Sequence, residues 1–264
     1  MHIITLTSDW NGYDYYIASI KGKILSICQE ARIIDINHSI KPFNSAQAAF
    51  VVRNSFHNFP QNTIHIIAVN TEPESGRKLL AARKSDHFFL CADNGMLGLL
   101  GLPEPELVIQ LKEPDKDEPV SFMSMTILVR AACALSSGTP LKELGESTEE
   151  YIRQVPLRPT IENNTITGSM IYIDSYDNAI TNISKELFER VRRGNEFQIF
   201  VQSKHYRIDR INKRYNETPP GELLAIFNSA GLLEIAIRNG NAASLLKLNT
   251  NSSVRIEFKE GKNA

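Results

Sequence analysis

Cysteine is scarce: Cys28, Cys91 and Cys133 stand far apart and form neither a Cys-x-x-Cys pair nor an even-numbered set. That excludes a disulfide scaffold and leaves three reduced, mostly buried thiols. Long apolar runs are also missing, since none approaches the roughly 20 residues that cross a bilayer, and Met1 to Thr7 lacks a basic leader. No membrane partner and a cytoplasmic location are expected. An excess of charge of either sign is absent too: 29 basic residues nearly cancel 30 acidic ones, and Lys and Arg are scattered. Nucleic acid is therefore not an expected partner. Internal repeats and low-complexity segments are lacking.

What remains is an ordinary globular chain. Its 264 residues, 42% of them hydrophobic, suffice for one large or two ordinary domains with real cores. Ile3 to Thr7 reads as a buried strand, and Tyr16, Ile20, Ile24 and Ile27 then fall on one helical face. The unit repeats with a strand at Arg32 to Ile36, a helix carrying Ala49, Val52, Phe56 and Phe59 and capped near Asn44 or Ser45, and a third strand at Thr63 to Val69. Leu79 to Arg83 and His87 to Cys91 read as a hairpin, and Met125 to Leu135 as a last helix. Alternation of this kind predicts a mainly parallel, Rossmann-like α/β domain over residues 1–150, with ligands beyond the carboxyl ends of its strands. Short β-rich runs follow (Thr165 to Ile173, Glu196 to Val201, His205 to Ile211, Leu223 to Phe227 and Val254 to Phe258), predicting a smaller, barrel-like β domain over 151–264 with a frayed tail.

Three loops of the first domain carry candidate chemistry. After strand one, Ser8-Asp9-Trp10-Asn11-Gly12-Tyr13-Asp14 offers two carboxylates. Asp9 can grip both hydroxyls of a ribose, with helix capping as the alternative, which suits Asp14 better. After strand two, Phe43 follows Pro42 ahead of a helix. It can stack on a sugar or staple hydrophobically to that helix, and His38 reads as a hydrogen-bonded structural histidine. After strand three, Asn70 to Arg77 ends in a cation that can face the pocket or pair at the surface with Glu72 or Glu74.

In the β domain, Asp174-Ser175-Tyr176-Asp177-Asn178 places a carboxylate, an aromatic ring and an amide together, a set suited to an amino group and a planar base. Tight turns at Asn228-Ser229-Ala230-Gly231 and around Asn241 to Ala243 let backbone approach a flat ring.

Taken in order, Ser8-Asp9 through Lys21-Gly22, Asp35-Ile36-Asn37-His38-Ser39-Ile40 with Pro42-Phe43, Asp93-Asn94-Gly95, Asp174 to Asn182, and Pro220-Gly221-Glu222 through Ala243 resemble the successive signatures of one family. It is the family of S-adenosylmethionine hydroxide adenosyltransferases and halide synthases, which includes the fluorinase and chlorinase. The resemblance implies an N-terminal α/β domain, a C-terminal β domain and a homotrimer binding S-adenosylmethionine or adenosine at a subunit interface. By resemblance, Asp9 would hold the ribose hydroxyls and Phe43 would pack on the sugar. Asp174, Ser229 and Tyr215 would meet the methionine portion, while Tyr176, Asn178, Asn241 and Ala243 would frame the adenine. The implied reaction is displacement at ribose C5′ by water, hydroxide or halide, with methionine leaving, no metal and no cofactor.

At the nucleophile position the chain departs from the pattern. The Asp, Arg and His of water-using members fall on Asn70, Arg77 and Met123, and Phe122-Met123-Ser124 instead resembles the halide pocket, with Ser124 in the place of its serine. Acidic Glu72 and Glu74 would repel an anion if they pointed inward. The expectation is an enzyme that hydrolyses S-adenosylmethionine to adenosine and methionine, slowly. A noncatalytic adenosine or S-adenosylmethionine binder and a halide-using adenosyl transferase stand as alternatives.

Overall fold

A computed structural model describes residues 3–72, 78–101, 103–112 and 122–259. The chain divides into two compact units, Met1–Pro156 and Leu157–Ala264.

The first unit begins β1 (Ile3–Ser8), α1 (Tyr16–Ile27), β2 (Arg32–Asn37), α2 (Ser45–Ser55), β3 (Ile64–Ala68), β4 (Leu79–Lys84) and β5 (His87–Ala92). It continues with the short α3 (Met96–Leu99), β6 (Leu107–Leu111), α4 (Val129–Ser136) and β7 (Gly145–Ser147). The strands form one sheet in the order β2-β1-β3-β5-β4-β6-β7. From β2 to β5 all neighbours are parallel, and from β5 to β7 all are antiparallel. Both faces are covered. Ile4, Leu6, Ile64 and Ile66 pack with Ile20 and Ile24 of α1 and with α4, while Ile67, Val69 and Phe89 pack with Ala48 and Val52 of α2 and with α3. A strand buried on both faces must read as an apolar run, which is why β1 and β3 were legible.

Local chemistry sets the helix boundaries. The Asn44 side chain accepts from the Gln47 backbone N–H, as expected for an N-cap. At α1 the N-cap is Tyr15 without a side-chain bond, so Asp14 does not cap that helix. Of the face expected for α1, Ile20 and Ile24 are buried while Ile27 is exposed at the frayed end. The expected last helix starts as a π turn over Ser124–Leu128 and becomes α-helical only from Val129.

The second unit contains β8 (Thr160–Glu162), β9 (Thr165–Ile173), β10 (Ala179–Ser184), α5 (Lys185–Arg192), β11 (Phe197–Val201), β12 (Arg207–Ile208), β13 (Leu223–Phe227), β14 (Leu232–Ile237), α6 (Ala242–Leu246) and β15 (Ser253–Phe258). Its antiparallel sheet runs β12-β11-β15-β9-β10-β14-β13, with β8 on β9. A bridge from Asn212 to Ile226 brings the chain after β12 back to β13, so the sheet nearly closes into a barrel. The stretch expected as a strand over His205 to Ile211 pairs only at Arg207–Ile208. The interior holds Ile166, Met170, Phe188, Ile199, Ile235 and Ile256. The helix α5 closes one end: Ser184 caps it by accepting from Leu187 N–H, and its single buried residue is Phe188, edge-on to Phe197 at 5.0 Å.

One polar group sits deep in the first unit. His65 is fully buried, with Nδ1 2.7 Å from Thr5 Oγ1 and Nε2 3.2 Å from His87 Nδ1. Burial first, and the neighbouring His87 second, push its pKa down to about 3. An unfolded histidine titrates near 6.5, so below that pH the unfolded chain holds a proton that the folded chain refuses, until the pH reaches about 3. Stability is therefore complete above the unfolded value and falls as the pH drops. Denaturant titrations should show a loss of about 2 kcal/mol between pH 7 and pH 5 from this group alone. His65→Asn should flatten that dependence, and an unchanged slope in the variant would contradict the assignment.

Candidate active site

The order β2-β1-β3 puts the second and third strands on opposite sides of the first. The connection from β1 runs to one side and the connection from β2 crosses back to the other, which leaves a crevice beyond the carboxyl ends of β1 and β3, where α/β sheets bind ligands. Asp9 follows β1 directly. Its Oδ2 accepts the Phe43 backbone N–H at 2.8 Å and the Asn70 backbone N–H at 3.3 Å, so one carboxylate draws together the loops after β1, β2 and β3.

A fourth segment joins them. Phe122 N–H donates to Glu72 Oε2 at 3.2 Å, and the Phe122 ring stacks on Tyr16 at 4.5 Å and lies 5.2 Å from Trp10. This sets Met123 and Ser124 at the start of the π turn that leads into α4. The Ser124 hydroxyl is buried and finds no hydrogen-bond partner among the described residues. Buried hydroxyls are nearly always satisfied, and the Thr7 hydroxyl of β1 shares this condition among the described residues. Glu72 is thus occupied by a backbone N–H; Glu74 and Arg77 lie outside the described residues.

Four non-glycine residues around this crevice have left-handed backbone: Asn11 (φ 53°), Phe43 (φ 66°), Asn70 (φ 50°) and Phe122 (φ 65°). For a bulky phenylalanine this conformation costs on the order of 1 kcal/mol or more, and such strain persists where the surroundings enforce it. The enforcing bonds are those to Asp9 and Glu72. Phe43 is 72% exposed, so its ring is not stapled to α2 and stands free at the crevice rim.

The strand ends are also tied from below. Ser8 Oγ lies 2.7 Å from His38 Nδ1, His38 Nε2 lies 3.2 Å from Asp35 Oδ1, and Asp35 Oδ2 accepts from Lys21 Nζ at 2.6 Å. Burial raises the Asp35 pKa, but hydrogen bonds and charge from Lys21 and His38 outweigh it and hold the carboxyl below its usual value. Serine, histidine and aspartate in a row suggest a nucleophile relay, yet Ser8 is 1% exposed and no substrate carbon can reach it. His38 is the structural histidine expected. On the β3 side, buried Asn94 donates to the Val69 and Asn70 carbonyls at 3.0 and 3.4 Å and accepts from Met96 N–H. Gly95 follows at φ +88° with Gln154 packed where a Cβ would stand, which accounts for the Asp93-Asn94-Gly95 signature.

In the second unit Asp174 closes its own turn: Oδ1 accepts Tyr176 and Asn178 backbone N–H, both at 2.9 Å, and Oδ2 accepts Asn178 Nδ2 at 3.2 Å. The neighbouring Asp177 docks α6, its carbonyl accepting from Ala243 N–H at 2.8 Å and its carboxylate from Ser244. Tyr176, Asn178, Asn241 and Ala243 are thereby gathered around one turn, and the Tyr176 ring is 77% exposed. Tyr215 and the turn carrying Ser229 come together through Glu234, a residue that sequence reasoning missed. Among the described residues no group of three His, Cys, Asp or Glu side chains is placed to hold a metal ion, and no helix is long and apolar enough to cross a membrane.

Residues 4–145 match the family described as SAM hydroxide adenosyltransferase N-terminal domain, and residues 168–255 match its C-terminal domain. The chain belongs to the SAM hydroxide adenosyltransferase family. It is similar to the (R)-S-adenosyl-L-methionine hydrolase of Methanocaldococcus jannaschii, with 28% identity over 98% of this chain and 97% of that one. It is also similar to the fluorinase of an Actinoplanes species, at 26% identity over 75% of this chain and 76% of the relative. Among solved structures, an uncharacterized conserved protein from Thermotoga maritima superposes with a TM-score of 0.86 at 26% identity, covering 96% of this chain and 99% of that one. The two family domains thus coincide with the two units, and each of the crevice loops lies inside the N-terminal match.

If the Asp9 carboxylate holds the loops, Asp9→Ala should lower stability by about 1 to 3 kcal/mol, the cost of stranding two donors. Asp9→Asn keeps an acceptor and should recover most of that. Equal denaturation midpoints for the parent and Asp9→Ala would show that the loops stand without it.

Proposed function

We propose that this protein binds S-adenosylmethionine and hydrolyses it slowly to adenosine and L-methionine. The observation that carries the reading is kinship along the whole chain with proteins named as hydrolases of this substrate, joined to a crevice organised by Asp9. Asp9 keeps its Oδ1 for the two ribose hydroxyls while Oδ2 holds the loops, and the exposed Phe43 ring covers the sugar. Asp174, Tyr215 and Ser229 receive the methionine end, and Tyr176, Asn178, Asn241 and Ala243 frame the adenine.

The sulfonium is a good leaving group, so the protein's task is in-line placement of a partly dehydrated water opposite it. Asn70, Arg77 and Ser124 are proposed to orient that water. Neutral Asn70 cannot take its proton at neutral pH, and the Met123 thioether is only a weak acceptor. Losing positioned acid–base help typically costs about 10² to 10⁴ in rate, which sets the expectation of slow turnover. The partner reading is a homotrimer with the ligand at subunit boundaries, without metal or cofactor, in the cytoplasm.

A second reading is favoured by the bare, buried hydroxyl of Ser124: a halide in place of water, giving a halogenated nucleoside. Sequestered hydroxyl donors suit a dehydrated anion.

Chromatography after incubation with S-adenosylmethionine should show slow release of adenosine and methionine, faster in the Asn70→Asp, Met123→His double variant. Fast release by the parent without any gain in that variant would defeat the account of the site. No product from either protein would leave a binder only, and a chloride-dependent nucleoside would favour the halide reading. Light scattering should give three times the chain mass of 29.7 kDa. A monomer with or without ligand contradicts the trimer.

A further inference from the structure

Glu234 lies on β14 in the second unit and is 3% exposed. Among the described residues no lysine or arginine pairs with it. A buried carboxylate without a cation is costly, so it survives only where hydrogen bonds hold it. Two do. Tyr215 Oη donates to Oε1 at 2.6 Å, and Asn228 Nδ2 donates to Oε2 at 3.1 Å. The amide orientation of Asn228 is itself fixed, because its Oδ1 accepts the backbone N–H groups of Ala230 and Leu232 at 3.0 and 3.2 Å.

The consequence for Tyr215 is chemical. A phenol has one proton to donate, and here it is committed to the hydrogen bond with Glu234; what the half-exposed Tyr215 then offers to another group is oxygen lone pairs alone. Such an oxygen can receive an N–H donor and cannot donate to a carboxylate. Asp174 adds negative charge close by. Burial first, then the hydrogen bond to Glu234 and the charges of Glu234 and Asp174, raise the Tyr215 pKa above its usual value, which keeps the phenol protonated.

We propose that Glu234 is a positioning residue of the ligand site, holding the Tyr215 hydroxyl as an obligate acceptor for the ammonium group at the amino-acid end of the ligand. The proposal rests on the reading of Tyr215 and Asp174 as the methionine side of the site. It assigns selectivity for the charged amine to a residue that does not touch the ligand. The Asn228 bond extends the same hold to the turn that carries Ser229.

Titration calorimetry with three ligands tests it. S-Adenosylhomocysteine keeps the amino-acid end but lacks the sulfonium leaving group, its des-amino analogue lacks the ammonium as well, and adenosine lacks the whole amino-acid end. Glu234→Leu, which removes every acceptor from this position, should weaken S-adenosylhomocysteine binding about tenfold, the size of one lost hydrogen bond to a charged group, and leave the other two ligands unchanged. Tyr215→Phe should do the same, and the double variant should lose no more than either single one, because the two residues act through one contact. Additive losses, equal losses for all three ligands, or unchanged binding in Glu234→Leu would each overturn the proposal while leaving the functional reading in place. Failure of the parent to bind any of the three would overturn both.

Discussion

A carboxylate with two backbone N–H groups on one oxygen is the constraint on which the first unit's crevice depends. Loops at the carboxyl end of a parallel sheet have no ladder to hold them, and their backbone donors must find partners elsewhere. Asp9 supplies that partner to Phe43 and Asn70 at once, and Glu72 supplies it to Phe122. Three of the positive-φ residues at the rim are those whose N–H groups are held in this way. Strain and its restraint therefore occur at the same atoms. Beneath the rim, the chain from Ser8 through His38 and Asp35 to Lys21 locks the ends of β1 and β2, and Asn94 locks that of β3.

The second unit solves the same problem with different donors. Asp174 folds its own turn, Asp177 draws in the start of α6, and Glu234 steadies Tyr215 and Asn228. In each case a carboxylate holds the hydrogen-bond donors of its neighbours in place. A site built in this manner is preorganised, so ordering entropy is not charged to the ligand on arrival.

The parts legible in the sequence were those with a period or a cap. The strands β1 and β3 stood out as buried runs, α2 showed Asn44 ahead of an apolar face, and the β4–β5 hairpin came with its turn at Ser85 and Asp86. The missed elements lacked such marks. β7 is three residues long, β6 is a bare five-residue run, and α5 has one buried residue, Phe188, while the strand expected over His205 to Ile211 shrinks to the two residues of β12. In the candidate site, Asp9, Phe43 and the turn from Asp174 to Asn178 could be singled out because they sit in polar loops with recognisable order. Glu234 could not: between Leu233 and Ile235 it reads as the solvent-facing residue of an alternating strand, and only the fold reveals that its carboxylate points at Tyr215. Asn94 was visible only as part of a signature, since its bonds reach carbonyls 24 and 25 residues away.

The left-handed backbone at Asn70 has a consequence for how such a crevice changes its chemistry. With φ at 50°, the position admits asparagine, aspartate or glycine at little conformational cost and resists most other residues. Its tie to Asp9 runs through the main chain, so it is indifferent to the side chain that the position carries. Asparagine and aspartate are nearly the same size and shape. An exchange between them would add or remove a carboxylate at the carboxyl end of β3 while leaving the main-chain tie to Asp9 as it is. Position 70 is therefore a place where the chemistry of a side chain can change independently of the architecture around it.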